Sequence, residues 1–209
     1  MFSGVFTGGM LLLALVWIAY FAVHSLLAAV SVKDWVTRHW PGPSRYYRLA
    51  YNLSSTVLLI PLLIATELAS TDWLWRWQGP WAWVSHGVTL LAIVGFLWSS
   101  RAYDMQAFMG LTPGNPQAPA RFGLSPLHRF VRHPWYFLGL VWLWTRDMDA
   151  ARLVAALVIT GYLWLGSRLE EIKLEQELGT LYRDYQARVP GLLPRPWRFL
   201  SRREFDQQR

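Results

Sequence analysis

The sequence predicts an all-α integral membrane protein with about five transmembrane helices, a C-terminal helical hairpin and a cytoplasmic amphipathic tail helix. Three observations predict it. The 209 residues are 54% hydrophobic and only 16% charged, whereas soluble domains carry about a quarter charged residues. The apolar residues come in long runs, several near the roughly 20 residues that span a bilayer core. The 14 Trp are unusually many, and indole rings favour the membrane–water interface, where an apolar body and one N–H donor are both satisfied. The length fits one domain or one membrane bundle.

Composition also excludes functions. There is no Cys, which removes disulfides, thiolate metal sites and Cys nucleophiles, and no metal site is read from the sequence. The net charge of +7 sits in loops between apolar runs. It therefore reads as a topology signal, with membrane lipids and no nucleic acid as partner. No basic residue precedes the first apolar run, which is long enough to span and reads as a helix rather than a cleaved leader.

Segment one covers Met10 to Val30 and carries His24 and Ser25 near its end. An intramembrane His is a functional hypothesis; a helix-end His bonded to a carbonyl or headgroup is the plainer reading. Loop one sets Lys33, Arg38, Arg45 and Arg48 against Asp34, and Pro41-Gly42-Pro43 is expected to break any helix there. Segment two, Leu49 to Leu68, holds Asn52, Ser54, Ser55 and Thr56, which can hydrogen-bond across helices, and Pro61, which should kink it. Loop two gathers Trp73, Trp75, Trp77, Trp81 and Trp83 as an aromatic belt. Segment three runs from Trp83 to Ser100. In loop three, 101–132, Pro113, Gly114, Pro116, Pro119 and Pro126 exclude regular structure over much of its length, leaving a linker or a lid.

Segment four, Trp135 to Trp144, is too short to span as a straight helix, but extends back through Pro134, which suits a first helical turn. After the charged break Arg146-Asp147-Met148-Asp149, segment five runs from Ala151 to Leu169, and the pair reads as a tight hairpin. The tail from Glu170 to Arg188 has helical spacing, with Leu174, Leu178, Leu181 and Tyr185 on one stripe and Lys173 facing Glu177. Gly179 interrupts it or allows a close approach. This is the pattern of an amphipathic helix on a membrane surface. The organisation is thus a support region, 1–126, a hairpin and tail, 127–194, and a basic, frayed end, 195–209. Loops one and three and the tail are basic; loop two and the hairpin turn hold only Arg76, Arg146 and Arg152 beside acidic neighbours. Cytoplasmic positive charge places the N-terminus outside and the C-terminus in the cytoplasm of a bacterial inner membrane.

The chemistry-bearing groups flank the hairpin. Arg132 and His133 are donors for a carboxylate, and Arg can bind one bidentately. Glu170 and Glu171 offer carboxylates to a cation or to ribose hydroxyls; Tyr136, Tyr182 and Tyr185 offer ring faces and phenols. That inventory suits a zwitterion with an aromatic base and a cationic centre, such as S-adenosylmethionine, whose sulfonium is attracted to carboxylates and aromatic faces. The same residues also fit a positive flank before a helix start and a solvated helix end.

Four blocks occur in order: Arg132-His133-Pro134-x-Tyr136, Glu170-Glu171-x-x-Leu174, Leu178-Gly179-x-x-Tyr182-x-x-Tyr185 and Val189-Pro190-x-x-x-Pro194. Residues 127–194 thereby resemble the isoprenylcysteine carboxyl methyltransferase-type family of integral membrane methyltransferases, which is also similar to the phospholipid methyltransferases. One departure is Leu138, where that family often has Gly; Gly139 follows. The first half, through His24-Ser25-Leu26-Leu27-Ala28, Tyr47-Arg48-Leu49 and Tyr103-Asp104 near Gly110-Leu111, resembles methanethiol S-methyltransferases, denitrification-accessory membrane proteins and zeta-carotene isomerases.

The resemblance implies an S-adenosylmethionine-dependent methyltransferase acting on a lipophilic or small membrane-soluble acceptor. The acceptor would enter laterally between segments two, three and the hairpin. The implied cofactor-binding residues are Arg132, His133, Pro134, Tyr136, Glu170, Glu171, Tyr182 and Tyr185. Glu171 or His133 is the implied base, where the acceptor arrives protonated, with Arg168 and His128 one shell out. The isomerase likeness supplies a rival reading, a haem-binding isomerase or accessory protein using His24 with His86, His128 or His133. A non-catalytic membrane scaffold is a third.

Overall fold

The computed structural model describes residues 8–112 and 124–206; the expected linker residues Pro113, Gly114, Pro116 and Pro119 lie outside them. In chain order the elements begin with α1 (Gly8–Ala28), α2 (Val30–His39), α3 (Pro41–Ser44), α4 (Tyr47–Leu68) and β1 (Trp73–Trp75). Next come α5 (Pro80–Ser100), α6 (Met105–Met109) and a short 3-10 turn, Pro126–Arg129. They end with α7 (Pro134–Trp144), β2 (Met148–Asp149), α8 (Ala150–Leu178), α9 (Thr180–Arg188) and α10 (Arg202–Asp206). The protein is an all-α membrane protein. Among the described residues α1, α4, α5 and α8 are long and apolar enough to cross a bilayer. The short α7 has 11 residues, about 16 Å of helix, and does not reach that length.

The chain divides into two compact units that interleave in sequence. The first takes its described residues from Met1–Arg76, Asp104–Pro119 and Asp147–Ile159; the second from Trp77–Tyr103, Ala120–Arg146 and Thr160–Arg209.

In the first unit α1 and α4 run antiparallel. Trp17 Nε1 donates to Thr66 Oγ1 at 3.1 Å, and at the opposite end Tyr47 OH donates to the Leu27 carbonyl at 2.6 Å. Met10, Leu13, Trp17 and Leu62 pack on Ala150, Ala151 and Ala155 of α8, small side chains that let helices approach. The outer faces show Leu11, Leu12, Leu15, Leu53 and Val57, as hydrocarbon contact allows. Loop one refines an expectation: α2 ends at His39, just before Pro41-Gly42-Pro43, and these residues then start the short α3. Pro is tolerated in a first turn because its missing N–H has no intrahelical partner there. The charged break before α8 also does more than turn the chain. β2 pairs antiparallel with β1, Trp73 opposite Asp149. Asp149 is fully buried and caps α8 by accepting from Arg152 N at 2.8 Å, with Ser70 Oγ donating to it at 2.6 Å. Arg152 pairs with Asp149 and Glu67.

In the second unit α7 packs along α5. Gly95 leaves room for Leu138, whose Cδ2 lies 3.3 Å from where a Cβ would stand. Trp135 packs its ring against Phe96 at a tilt, with centroids 4.9 Å apart, and donates to Ser99 Oγ at 3.2 Å; Ser85 and Thr89 bond Thr145 at the other end. The tight α7–α8 hairpin is therefore only part of the packing, since hydropathy does not say which helix a span will choose. α7 is tied to α8 by Trp144 Nε1 donating to Thr160 Oγ1 at 3.1 Å.

α8 has 29 residues, about 44 Å, which exceeds the roughly 30 Å hydrocarbon core. Its polar end can carry Glu170 and Glu171 out of the apolar layer. Gly179, at φ +59°, separates it from α9. The tail's apolar stripe is not left for lipid alone. Tyr182, Tyr185, Val189, Leu200, Phe205 and Leu124 form a core that also takes in Leu174 and Leu178, while Leu181 is exposed. The segment after Pro194, expected to fray, is fastened through Leu200: its N–H donates to Arg129 O, and Arg129 Nε donates to Leu200 O, both at 3.0 Å.

Candidate active site

The site starts from backbone. Arg132 N donates to Pro190 O at 2.9 Å and Gly191 O at 3.1 Å, so the 189–191 segment lies against the start of α7. Gly191 permits this, since a Cβ there would stand 3.3 Å from Arg132 Nη2 and 3.4 Å from Glu171 Oε1. His133 caps α7, and Pro134 takes its first position. Arg132 then reaches α8: Nε and Nη2 donate to Glu171 Oε1 at 3.0 and 2.7 Å. Its Nη1 donates to the carbonyls of Gln186, at 3.1 Å, and Val189. The two side chains are 8% and 5% exposed, so this is a buried ion pair with further hydrogen bonds, the condition under which such a pair is tolerated.

His133 completes the cluster. Its Nε2 lies 3.1 Å from Glu171 Oε1 and its Nδ1 3.4 Å from Glu170 Oε2. Tyr136 stacks on the imidazole, with centroids 5.4 Å apart, and its hydroxyl donates to Glu170 at 3.4 Å. Burial disfavours the imidazolium, but hydrogen bonds to Glu170 and Glu171 outweigh it and raise the His133 pKa. Gln186 Nε2 donates to Glu171 Oε2 at 3.3 Å, and Arg168 Nη1 stands 3.7 Å from the same oxygen.

Beside Glu171 opens a cavity of about 710 Å³. Trp164, Ser167, Arg168 and Glu171 supply one wall from α8; Arg183 and Gln186 supply another from α9. Arg195 and Arg198 close the rim from the 190–198 segment. Arg183 is paired with Glu175 at 2.6 Å, and Arg198 donates to the carbonyls of Gln186 and Ala187.

The structure thus brings Arg132, His133, Tyr136, Glu170 and Glu171 into one cluster; of these Arg132 and Glu171 line the cavity, with Arg168, whereas His133, Tyr136 and Glu170 do not. Pro134 is buried at the start of α7. Tyr182 and Tyr185 lie in the tail core and not on the cavity wall; Tyr185 OH donates to His128 O at 2.8 Å, and burial pushes both phenols up. His128 bonds Ser125 and is lowered by burial to about 4. His24 lies in the other unit, with Nδ1 3.1 Å from Ser55 Oγ and Nε2 2.7 Å from Tyr51 OH. Sequence reasoning missed Trp164, Ser167, Arg183, Gln186, Arg195 and Arg198. Ser167 and Trp164 share a helical face with Glu171 at spacings a helix predicts; the α9 and rim residues carry no local signal.

Known proteins align with nearly the whole chain. It is 32% identical over 183 residues to a methanethiol S-methyltransferase of Pseudomonas sp., covering 83% of this chain and 69% of that protein. It is 32% identical over 202 residues to the methanethiol S-methyltransferase of Pseudomonas deceptionensis, covering 88% and 72%. It is 30% identical over 211 residues to methanethiol S-methyltransferase 2 of Bradyrhizobium diazoefficiens, covering 97% and 79%. No protein-family profile and no solved structure matches. Similarity of this extent, running through both units, shows that the chain is a methyltransferase and belongs to the methanethiol S-methyltransferase family of integral membrane enzymes, of the isoprenylcysteine carboxyl methyltransferase-like type.

Proposed function

We propose that the protein transfers a methyl group from S-adenosylmethionine to a small membrane-soluble acceptor, with methanethiol, the acceptor in its relatives' names, as first choice. The observation that carries this reading is the cavity beside Glu171, with its cationic rim. Its volume is in the range of cofactor sites, about 300–1,000 Å³. Arg168 and Arg195 offer donors for a carboxylate, Glu171 offers an acceptor for an ammonium or ribose hydroxyl, and the Trp164 ring offers a face to an adenine or sulfonium. These groups fit the donor molecule. When bound, it would supply an electrophilic sulfonium methyl: the acceptor sulfur would bond to that carbon in line as the carbon–sulfonium bond breaks, S-adenosylhomocysteine would leave, and the thiol proton would pass to a base.

The chain's own residues then have separable jobs. Arg132 lines the cavity beside Glu171, but its donors are taken by Glu171 and the Gln186 and Val189 carbonyls, so its job is to position Glu171. Glu171 Oε1 already accepts from Arg132 and His133, which makes it a weak base. Glu170, whose side chain is half-exposed at 50%, is the more accessible carboxylate, although it too accepts from His133 and Tyr136 and stands outside the cavity lining, so a thiol acceptor would have to meet it from the exposed side. Water exclusion and orientation do most of the rest. The basic residues around the cavity support a cytoplasmic position for it; an N-terminus outside and a C-terminus inside would further require the short α7 to complete a fifth crossing.

Isothermal titration of the folded, detergent-solubilised protein with S-adenosylhomocysteine tests the donor. Saturable binding is expected, weakened by Arg168→Ala; no binding at millimolar ligand sinks the reading. Headspace detection of dimethyl sulfide from methanethiol then tests the acceptor.

A further inference from the structure

The N-terminal motifs that methyl transfer leaves unused meet in the first unit. His24 and Ala28 come from the end of α1, Tyr47, Arg48, Tyr51 and Asn52 from the start of α4, and Phe108 from α6. With Lys33 of α2 they line a second cavity, of about 410 Å³. Its walls are built from specific contacts. Tyr47 OH closes onto the last turn of α1 at Leu27 O, and His24 is held by Ser55 and Tyr51. α6 is docked on α4 in three ways. Asn52 Nδ2 donates to Phe108 O at 3.1 Å and Met109 O at 3.0 Å. Arg48 Nη1 donates to Ala107 O at 2.9 Å. Gly110, at φ +79°, seats directly on the Arg48–Leu49 backbone, where a Cβ would collide with Leu49 N.

The lining has a definite chemistry. Ala28, Tyr47, Tyr51 and Phe108 make it largely apolar and aromatic, and its two charged groups, Lys33 and Arg48, are both cations. No acidic side chain lines it among the described residues, and none of them forms an ion pair with Lys33. The position is equally definite. Ala28 ends one spanning helix and Tyr47 begins its antiparallel neighbour, so Lys33 and Arg48 sit at the membrane–water boundary and His24 about 6 Å deeper, one turn of helix.

We propose that this cavity binds one anionic phospholipid of the surrounding membrane. Its phosphate lies at Lys33 and Arg48, and its glycerol and first methylenes lie against Ala28, Tyr51 and Phe108. A zwitterionic headgroup would leave its ammonium without a carboxylate, and a wholly apolar guest would leave two cations facing it. Basic pockets between spanning helices take anionic headgroups for this reason.

The test is native mass spectrometry of the full-length protein in neutral detergent. It is titrated separately with phosphatidylglycerol, with phosphatidylcholine, and with phosphatidylglycerol plus inorganic phosphate. One phosphatidylglycerol is expected to be retained, with phosphatidylcholine about tenfold weaker. Lys33→Glu, at an exposed position, lowers phosphatidylglycerol retention about tenfold while leaving thermal unfolding unchanged. Ala28→Trp lowers it by filling the cavity; should that variant unfold, Lys33→Glu alone carries the test. Equal retention of the two lipids overturns the proposal, as does unchanged retention in Lys33→Glu. Displacement of the lipid by millimolar phosphate also overturns it, because the site would then take a free anion.

Discussion

Separating Arg132 from Glu171 gives the sharpest test of the site. Glu171→Gln keeps the shape of the side chain but removes its charge. The Arg132 guanidinium, 8% exposed, then keeps only the Gln186 and Val189 carbonyls as strong acceptors. Removing one member of a buried pair costs about 3–5 kcal/mol, because the other charge stays buried. The carbonyls that remain put this case at the lower end, about 3 kcal/mol. Arg132→Met should cost a similar amount, since Glu171 keeps only His133, Gln186 and a distant Arg168. The double variant should cost clearly less than the sum, by about 2 kcal/mol or more, because neither charge is then stranded. The assay is reversible unfolding in mixed micelles, with the four chains compared at one pH. Small single effects that simply add would refute the reasoning, since they would mean the pair is solvated and not buried. The same proteins titrated with S-adenosylhomocysteine separate support from contact: Arg132→Lys, which cannot reproduce the fork, should weaken binding without abolishing it.

The remaining predictions concern single groups. Burial holds His128 near a pKa of about 4, below the unfolded value of about 6.5. Its stabilising contribution is therefore complete above about pH 6.5 and is lost as pH falls toward 4, by up to about 3 kcal/mol; His128→Gln should flatten the acid limb of midpoint against pH. His133 has the opposite sign. Its folded pKa is raised by Glu170 and Glu171, so its contribution is present below about pH 6.5 and lost as pH rises through the raised value. Tyr185→Phe removes the hydroxyl bond to His128 O and should cost about 1 kcal/mol in unfolding while leaving S-adenosylhomocysteine affinity unchanged, because Tyr185 is in the core. Gly110→Ala should destabilise by more than about 1 kcal/mol, combining positive φ with a backbone collision; faster amide exchange around α6 would locate the damage.

Hydropathy and residue type carried much of the architecture. The runs beginning at Met10, Leu49, Trp83 and Ala151 became α1, α4, α5 and α8 with ends displaced by a few residues, except that α8 continues through Glu170 to Leu178. Spans are legible because transfer of apolar side chains into hydrocarbon is a sum over neighbours in sequence. The ordered blocks Arg132-His133-Pro134 and Glu170-Glu171 also carried the site's donors and carboxylates in advance. Other features came only with the tertiary structure. Arg132 lies 39 residues from Glu171 in sequence, and residue type alone does not tell a guanidinium aimed at a ligand from one that braces a carboxylate. Tyr182 and Tyr185 have phenols that suit a pocket, but helix α9 turns them into the core with Leu200 and Phe205. The ribbon at Trp73 and Asp149 is too short to show strand periodicity, and α7 lies along α5 through Gly95 and Leu138. Which side chains share a cavity is decided by contacts between distant segments, and a local sum of hydropathy and charge contains no information about them. The sequence by itself therefore determined that the chain enters a membrane with donors and carboxylates at the ends of its last spans. The folded structure decided that Arg132, His133 and Glu171 hold one another, and that Arg168, Arg183, Arg195 and Arg198 line one cavity beside them.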